Sequence, residues 1–416
     1  MNKKYSNLHT TYFLRFSYIV FLVLGYNTVF CDTKTEIGAD NPIGSIKEVY
    51  DGTLLPDIQI NTFRNIDRIF PTHIVKHGNY IYPLSESEKP LLNLKFRSAD
   101  KEYDLYDYLS LNHVTGLLII KDGEIIKEIY QNGNTEKTRW MSMSMVKSIT
   151  ATLIGAAIKD GYIKSIDEPI VNYLPELQSS AYDGVTIRNL LQMASGVKWN
   201  ETYTDPNSDR RHLLNAQISQ EAGSTLRLMT TLPKAAPVGS VWNYSTGETQ
   251  VAGALLRAAV KKPLSDYLSE KIWSKYGMQS DATWWLESPN GLEIGGSGLS
   301  ATLRDYGRFG LFLLNGGKIG NESILPDGWL QDATTSKLVG SKTVDYGYML
   351  WPIPHSYGLI HHSAFEARGI FGQHIYVNPK QNIVIVVWSA QSKPTGKAII
   401  TDYDFFGAVA NTLSTK

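Results

Sequence analysis

Cysteine is almost absent from this chain of 416 residues, in which Cys31 is the only one. A fold without disulfide bonds depends on packing for its stability. Net charge is absent as well, because 40 basic side chains balance 40 acidic ones. A general nucleic-acid binder would show a basic excess, so we expect no nucleic-acid partner. Hydrophobic residues make up 43% of the chain, which excludes a disordered protein and predicts a sizeable core.

Several catalytic and cofactor motifs are also missing. Gly-x-Ser-x-Gly does not occur, because Leu299 follows Gly295-Gly-Ser-Gly298, and the sequence has no phosphate loop or dinucleotide fingerprint. The spacing of His361-His362 and Glu366 fits no established zinc pattern, and His-Glu-x-x-His is absent. We therefore expect no metal and no cofactor.

The N-terminal segment has the order of a secretory signal. Lys3, Lys4 and Arg15 precede an apolar run at residues 16–24, which is too short for a comfortable bilayer span. This order predicts a signal peptide at residues 1–31 and a periplasmic or secreted protein. A retained membrane anchor facing outside the cytoplasm is the alternative, and the membrane is a partner only in that case.

Two hairpins are predicted. Residues 114–120 and 124–130 are apolar runs on either side of Asp122-Gly123, where the glycine supplies the positive φ of a tight turn. Residues 374–378 and 383–388 flank a second turn near the other end of the chain. The strands therefore come from both ends.

Helical periodicity dominates the rest of the chain. Apolar residues recur at helical spacing in residues 146–157, 263–276, 299–314 and 399–413. Residues 32–78 are polar and irregular, and are predicted as an N-terminal extension before one domain at residues 79–416. An antiparallel sheet formed by both chain ends, flanked by helices and carrying a mostly helical insert, gives the α+β class.

One short motif stands out at the start of a helix. Ser-x-x-Lys occurs three times, at Ser98–Lys101, Ser144–Lys147 and Ser195–Lys198. Only Ser144 and Lys147 open a strong amphipathic helix, where residues three apart share one face. A serine nucleophile needs an adjacent base, and a lysine serves as that base when burial disfavours its charged form. The alternative is an N-capping serine and a solvated lysine.

The surrounding sequence resembles the serine β-lactamase-like hydrolases. Residues 139–148 are similar to their active-site segment, and the similarity continues in the same motif order through residues 162–175, 185–196, 237–246, 296–309 and 369–373. It covers roughly residues 114–413. Residues 199–206 and 369–373 are most similar to the 6-aminohexanoate-dimer hydrolases, which are amidases and esterases with a β-lactamase fold. The domain at residues 79–416 is accordingly expected to be a serine hydrolase.

The resemblance implies roles for individual residues. Ser144 is the nucleophile, Lys147 accepts its proton, and Tyr244 carries a proton to the leaving group. The backbone N–H groups of Ser144 and Ile370 form the oxyanion hole.

The resemblance also implies substrate contacts at Tyr203, Gly372 and Gln373. Tyr203 has an alternative interpretation as an aromatic residue of a surface loop. Two departures from the family concern specificity. Residues 369–372 provide no cation for a substrate carboxylate, and Thr246 stands where the family's Tyr-x-Asn motif has asparagine.

We therefore expect a hydrolase that cleaves a small-molecule carboxylic amide or ester through an acyl-enzyme on Ser144. A D,D-peptidase or β-lactamase acting on cell-wall-type substrates is one alternative, which the missing cation at residues 369–372 disfavours. A non-catalytic envelope binding protein is the other. Substrate identity depends on loops and pocket shape within one fold.

Overall fold

The strands and helices are described from a computed structural model, which covers residues 40–89, 91 and 94–414. The predicted signal peptide at residues 1–31, with Cys31, lies outside the described residues. The strands are β1 (Thr72–Val75), β2 (Lys95–Ser98), β3 (Lys101–Asp104), β4 (Val114–Lys121), β5 (Glu124–Tyr130), β6 (Arg139–Met141), β7 (Ala282–Trp285), β8 (Leu299–Thr302), β9 (Lys318–Ile319), β10 (Glu322–Ser323), β11 (Lys337–Val339), β12 (Lys342–Val344), β13 (Trp351–Pro352), β14 (Phe365–Gly369), β15 (Gln373–Asn378) and β16 (Ile383–Ser389).

The helices lie mostly between β6 and β13. They are α1 (Ile46–Asp51), α2 (Pro56–Arg64), α3 (Leu105–Leu111), α4 (Met145–Lys159), α5 (Ile187–Leu191), α6 (Asp209–Ile218), α7 (Ser224–Thr230), α8 (Thr246–Val260), α9 (Leu264–Leu268), α10 (Ser274–Tyr276), α11 (Leu303–Leu314), α12 (Trp329–Ala333) and α13 (Asp402–Ser414). Among the helices of the described residues, none combines the length and apolar character needed to cross a bilayer.

A six-stranded antiparallel sheet in the order β13-β14-β15-β16-β4-β5 joins the two ends of the chain. Both predicted hairpins are present, as β4–β5 and β15–β16. Asp122 and Gly123 have φ of 53° and 86°, as the tight turn requires. The predicted α+β class, with a sheet built from both chain ends, is confirmed.

Helices cover both faces of this sheet. On one face α11 packs so closely that a Cβ at Gly310 would lie 2.5 Å from Val384 Cγ1. On the other face, α3 and α13 share a second apolar core with the sheet, in which the rings of Tyr108 and Phe405 stack at 3.8 Å. The sheet is therefore buried on both sides and forms a rigid support for the strand ends.

The helix predicted at residues 299–314 is partly wrong. Leu299–Thr302 is the strand β8, which pairs with β6 and β7, and the helix begins only at Leu303. Thr302 caps α11 by accepting the backbone N–H of Asp305 at 3.3 Å. Apolar residues that fit a helical pattern also fit a fully buried strand, so periodicity alone did not separate the two elements.

Residues 46–75 are part of the fold rather than an irregular extension. They contain α1, α2 and β1, and β1 pairs with β7. The predicted boundary at residue 78 therefore coincides with no break, since the compact unit that includes these elements continues to the end of the described chain. Ser45 and Glu48 form a capping box at α1, a signal that the sequence does carry.

Candidate active site

A cavity of about 1220 Å³ opens beside the start of α4 and the end of β14. Ser144, Tyr203 and Tyr244 line it, together with Ile370 from the turn after β14. These residues come from four separate segments of the chain. The structure thus brings Ser144 and three residues that the family resemblance implies to one cavity.

Ser144 occupies the N-cap position of α4, but its hydroxyl makes no capping hydrogen bond. The preceding Met143 has φ of 44°, a left-handed conformation that is uncommon outside glycine. Lys147 is 1% exposed. The alternative of an N-capping serine with a solvated lysine therefore does not describe this site.

Lys147 is held by two oxygen acceptors. Its Nζ donates to Thr246 Oγ1 at 2.9 Å and to the backbone oxygen of Gly296 at 2.7 Å. Burial lowers the pKa of Lys147 to about 7, with Arg210 acting in the same direction and the Glu201 carboxylate opposing both. At neutral pH, a substantial fraction of this amine is therefore unprotonated and able to accept a proton.

Tyr244 places its ring 5.5 Å from Lys147 Nζ. Burial raises the pKa of Tyr244 well above its ordinary value, and Glu201 adds to this, whereas a hydrogen bond with the Ser144 hydroxyl acts in the opposite direction. The phenol is therefore neutral at physiological pH and has a proton to donate. Its ring packs edge-on against Tyr346, with 6.0 Å between centroids.

Gly369 lets the turn after β14 approach the start of α4. A Cβ there would lie 3.1 Å from the Ser144 nitrogen and 2.7 Å from the Ser142 oxygen. Among the described residues, neither Ser144 nor Ile370 donates its backbone N–H to a protein acceptor. Two unused N–H groups at the cavity are the donors that an oxyanion requires.

The three predicted substrate contacts divide into two groups. Tyr203 and Gly372 line the cavity, but Gln373 does not. Gln373 is fully buried, and its amide accepts the indole N–H of Trp140 at 2.9 Å and donates to the Ser389 oxygen at 2.6 Å. The side chain of Gln373 therefore helps to fix the β14–β15 turn, and the substrate contact that the resemblance implies for it stays a prediction.

The structure adds two charged residues that the sequence motifs did not reveal. Glu201 lines the cavity and accepts the Thr246 hydroxyl at 2.5 Å. Arg368 also lines the cavity, where its guanidinium packs 4.2 Å from the Trp351 ring centroid. Arg368 directly precedes the Gly369 turn, so it lies one position before residues 369–372, which provide no cation for a substrate carboxylate.

The remaining candidates have structural partners. Ser98 donates to Asp404 at 2.7 Å, and Ser195 donates to the buried Glu248, so neither hydroxyl pairs with the lysine of its motif. His361 contacts the Tyr376 hydroxyl at 2.8 Å. Glu366 pairs with His374, at 2.8 Å.

Comparisons with known proteins agree with this geometry. A family model described as Beta-lactamase matches residues 113–406. A 6-aminohexanoate-dimer hydrolase from Paenarthrobacter ureafaciens is 26% identical over 347 residues, which cover 80% of this chain and 85% of that protein. An Escherichia coli protein named as a candidate D-alanyl-D-alanine carboxypeptidase is 24% identical over 204 residues, 45% of this chain and 46% of that protein.

One solved structure extends the comparison to the fold. A Bacillus anthracis protein named as a candidate 6-aminohexanoate-dimer hydrolase superposes with a TM-score of 0.74 at 23% identity, over 85% of this chain and 93% of that one. The fold and the matching family define the class of this protein, which is a serine hydrolase. The chain belongs to the β-lactamase family, and its homologues include 6-aminohexanoate-dimer hydrolases.

Proposed function

We propose that this protein hydrolyses a carboxylic amide or ester through an acyl-enzyme on Ser144. The observation that carries the proposal is that Ser144 and Tyr244 line one open cavity, while the buried amine of Lys147, three residues after Ser144, lies 5.5 Å from the Tyr244 ring. A nucleophile with an adjacent base and an adjacent acid is the minimum that acyl transfer needs.

In the acylation step, one proton leaves Ser144 and one reaches the leaving group, with Lys147 and Tyr244 carrying the transfer. Lys147 accepts the proton of Ser144 as Oγ attacks the carbonyl carbon, and the carbonyl oxygen takes the negative charge. The N–H groups of Ser144 and Ile370 stabilise that charge. As the tetrahedral intermediate collapses, the bond from carbon to the leaving group breaks, and Tyr244 donates a proton to the departing nitrogen or oxygen. Lys147 then reprotonates Tyr244.

Deacylation repeats the chemistry with water. A water molecule gives a proton to the base and attacks the acyl carbon, and the bond to Ser144 Oγ breaks. The carboxylic acid leaves, and the serine regains its proton. Apart from the substrate and water, residues of this chain carry every proton transfer in these steps.

For the substrate we propose a small linear amide or ester of the 6-aminohexanoate-dimer type. The relative from Paenarthrobacter ureafaciens supports this choice by its name. The cavity supports it by composition, since Tyr203, Tyr244 and Trp351 offer aromatic walls and Arg368 offers a charged group beyond them. Apolar walls with a few polar anchors are typical of small-molecule sites.

Arg368 also favours a second candidate function, a D,D-peptidase or β-lactamase. Residues 369–372 contain no cation, but the adjacent Arg368 lines the same cavity and has 41% of its side chain exposed. Its guanidinium is able to bind a carboxylate, so Arg368 supplies the cation that residues 369–372 lack for a substrate with a free carboxylate.

Hydrolysis assays separate these functions. The mature protein and S144A are each tested on a short-chain p-nitrophenyl ester, on the linear 6-aminohexanoate dimer and on a chromogenic cephalosporin. We expect ester and amide turnover that S144A lacks, with little cephalosporin cleavage. Preferred cephalosporin turnover would favour the second candidate, and a folded wild type without any turnover would favour a non-catalytic envelope binding protein.

For the location we propose export, with residues 1–31 as a cleaved signal peptide. The order of basic residues, apolar run and polar sequence supports this. N-terminal sequencing of the protein from a periplasmic or culture-medium fraction is expected to begin near Asp32. A full-length chain found only in membranes would support the anchor instead.

A further inference from the structure

A carboxylate lies one hydrogen bond beyond the amine of Lys147, and the mechanism proposed above does not use it. Glu201 Oε1 accepts the Thr246 hydroxyl at 2.5 Å, and Oε2 accepts the Thr246 backbone N–H at 2.9 Å. The indole N–H of Trp199 also donates to Oε2. Three donors therefore hold the Glu201 carboxylate in one orientation.

The chemistry of these groups fixes the direction of the hydrogen bonds. A carboxylate only accepts hydrogen bonds, so the Thr246 hydroxyl donates its proton toward Glu201. The same hydroxyl has only lone pairs left for Lys147, and it accepts an N–H from Nζ at 2.9 Å. The Gly296 oxygen accepts a second N–H at 2.7 Å.

This arrangement leaves the lone pair of the Lys147 amine without a hydrogen-bond donor. A neutral lysine amine has two N–H bonds and one lone pair, and Thr246 and Gly296 take both protons. Ser144 is the N-cap residue of α4, three residues before Lys147, so the two side chains lie on the same face of the helix. We infer that Glu201 is a positioning residue, which holds the Thr246 hydroxyl as an acceptor and so keeps the lone pair of Lys147 free for the Ser144 proton.

This inference rests on the proposed acyl-enzyme mechanism and explains the threonine at position 246. An asparagine there would bring its own amide to Lys147, whereas a hydroxyl needs a partner that fixes its rotation. Without the carboxylate, Thr246 is able to turn and donate into the lone pair of Lys147. That hydrogen bond would compete directly with deprotonation of Ser144.

Glu201→Gln is expected to reverse the direction of the hydrogen bond with the Thr246 hydroxyl, with almost no change in the volume of the side chain at position 201. The two N–H donors at Oε2 require the amide oxygen at that place, so the NH₂ group takes the place of Oε1. It then donates to Thr246, whose own proton points to Lys147. The variant therefore keeps the contacts of Glu201 but inverts the direction of one hydrogen bond, the one with the Thr246 hydroxyl.

A double-mutant cycle on the p-nitrophenyl ester tests this mechanism. We expect E201Q to lower kcat by about 10-fold to 100-fold, a partial loss of the roughly 10²-fold to 10⁴-fold that general acid–base catalysis contributes. In a T246V background, which has no hydroxyl to reverse, the same change is expected to cost less than about threefold. An equal loss in both backgrounds would overturn the inference.

The pH profile provides a readout that structural damage would not move. Within the described part of the chain, the charged or titratable groups that act on Lys147 are Glu201, Arg210 and Tyr244. The Glu201 carboxylate favours the protonated amine, so its neutralisation lowers the pKa of Lys147. The acidic limb of kcat/KM is expected at lower pH in E201Q, although kcat falls. A lower kcat with an unmoved limb would overturn the inference.

Two further variants complete the design. Glu322→Gln, the same change on an exposed residue of β10, is the matched control and is expected to leave kcat and the pH limb unchanged. Glu201→Asp keeps the negative charge and replaces E201Q as the test variant if E201Q does not fold. We expect it to lower kcat while the acidic limb of kcat/KM stays near its wild-type pH. Wild-type protein without Ser144-dependent turnover would refute the acyl-enzyme itself, whereas an active wild type matched by E201Q would refute only the role of Glu201.

Discussion

The amine of Lys147 donates to the hydroxyl of Thr246 over 2.9 Å, although the two residues are 99 positions apart in the chain. Lys147 lies in the first turn of α4, and Thr246 is the first residue of α8. The contact therefore depends on the packing of two buried helices, and it ties the base of the site to the loop that carries Tyr244.

The activity of the enzyme is expected to depend on deprotonation of Lys147. Its pKa is about 7, and only the neutral amine accepts a proton, so kcat/KM is expected to rise as the pH increases through about 7. The measurement is kcat/KM for a p-nitrophenyl ester whose own chemistry is insensitive to pH in this range. A flat profile on both sides of this pH would contradict the role of Lys147 as the base.

Replacement of Tyr244 by Phe is expected to affect amides more than activated esters. An amine leaves only with a proton, whereas p-nitrophenolate leaves without one. We expect Y244F to lower kcat by about 100-fold for an amide and by less than about 10-fold for the p-nitrophenyl ester. Tyr346→Phe, which changes a neighbouring ring, is the control. Equal losses on the two substrates would exclude Tyr244 as the general acid.

The charge of Arg368 is expected to select anionic substrates. The suitable pair is a p-nitrophenyl monoester of a dicarboxylic acid, with a free carboxylate, and the neutral alkyl ester of the same length. R368Q is expected to lower kcat/KM by about 10-fold to 100-fold for the anionic ester, from the loss of a charge-assisted hydrogen bond. The neutral ester is the internal control. If both esters lose activity equally, Arg368 has a structural role only.

His374 is expected to make the stability of the protein depend on pH. Burial disfavours the charged ring, but Glu366 and Asp402 outweigh this and raise the pKa of His374 to about 10. A raised pKa stabilises the fold fully below the unfolded value of about 6.5 and less as the pH rises through about 10. H374Q is expected to cost about 3 kcal/mol at pH 7, because it removes the charged partner of the buried Glu366 and of the partly buried Asp402. Denaturant unfolding at several pH values checks this, and a pH-independent loss would contradict it.

The elements that the sequence predicted correctly have local signals. Asp122-Gly123 specifies its turn by backbone conformation, and Ser144 and Lys147 lie one helical turn apart. Both relationships span four residues or fewer, so the sequence contains them directly. The α+β class followed from the same kind of evidence, since alternating strands and helical periodicity are local patterns.

The features that the sequence did not reveal are tertiary. The strand β1 is short and pairs with β7, which lies about half the chain away. Glu201 comes to the site by the fold that brings it against Thr246, and Arg368 lines the cavity because β14 ends beside α4. The position of the Gln373 side chain is also tertiary, since it accepts a hydrogen bond from Trp140, which lies 233 positions away in the chain. Motif spacing shows which residues are candidates, but packing decides which of them face the cavity.

The most direct test of the account is covalent labelling of the mature protein by a fluorophosphonate, followed by peptide mapping by mass spectrometry. A serine hydrolase activated as we propose is expected to carry the label on Ser144, to lose it in S144A, and to react at least about 10-fold more slowly in K147A. A label on another residue, or equal labelling of the wild type and S144A, would contradict the account.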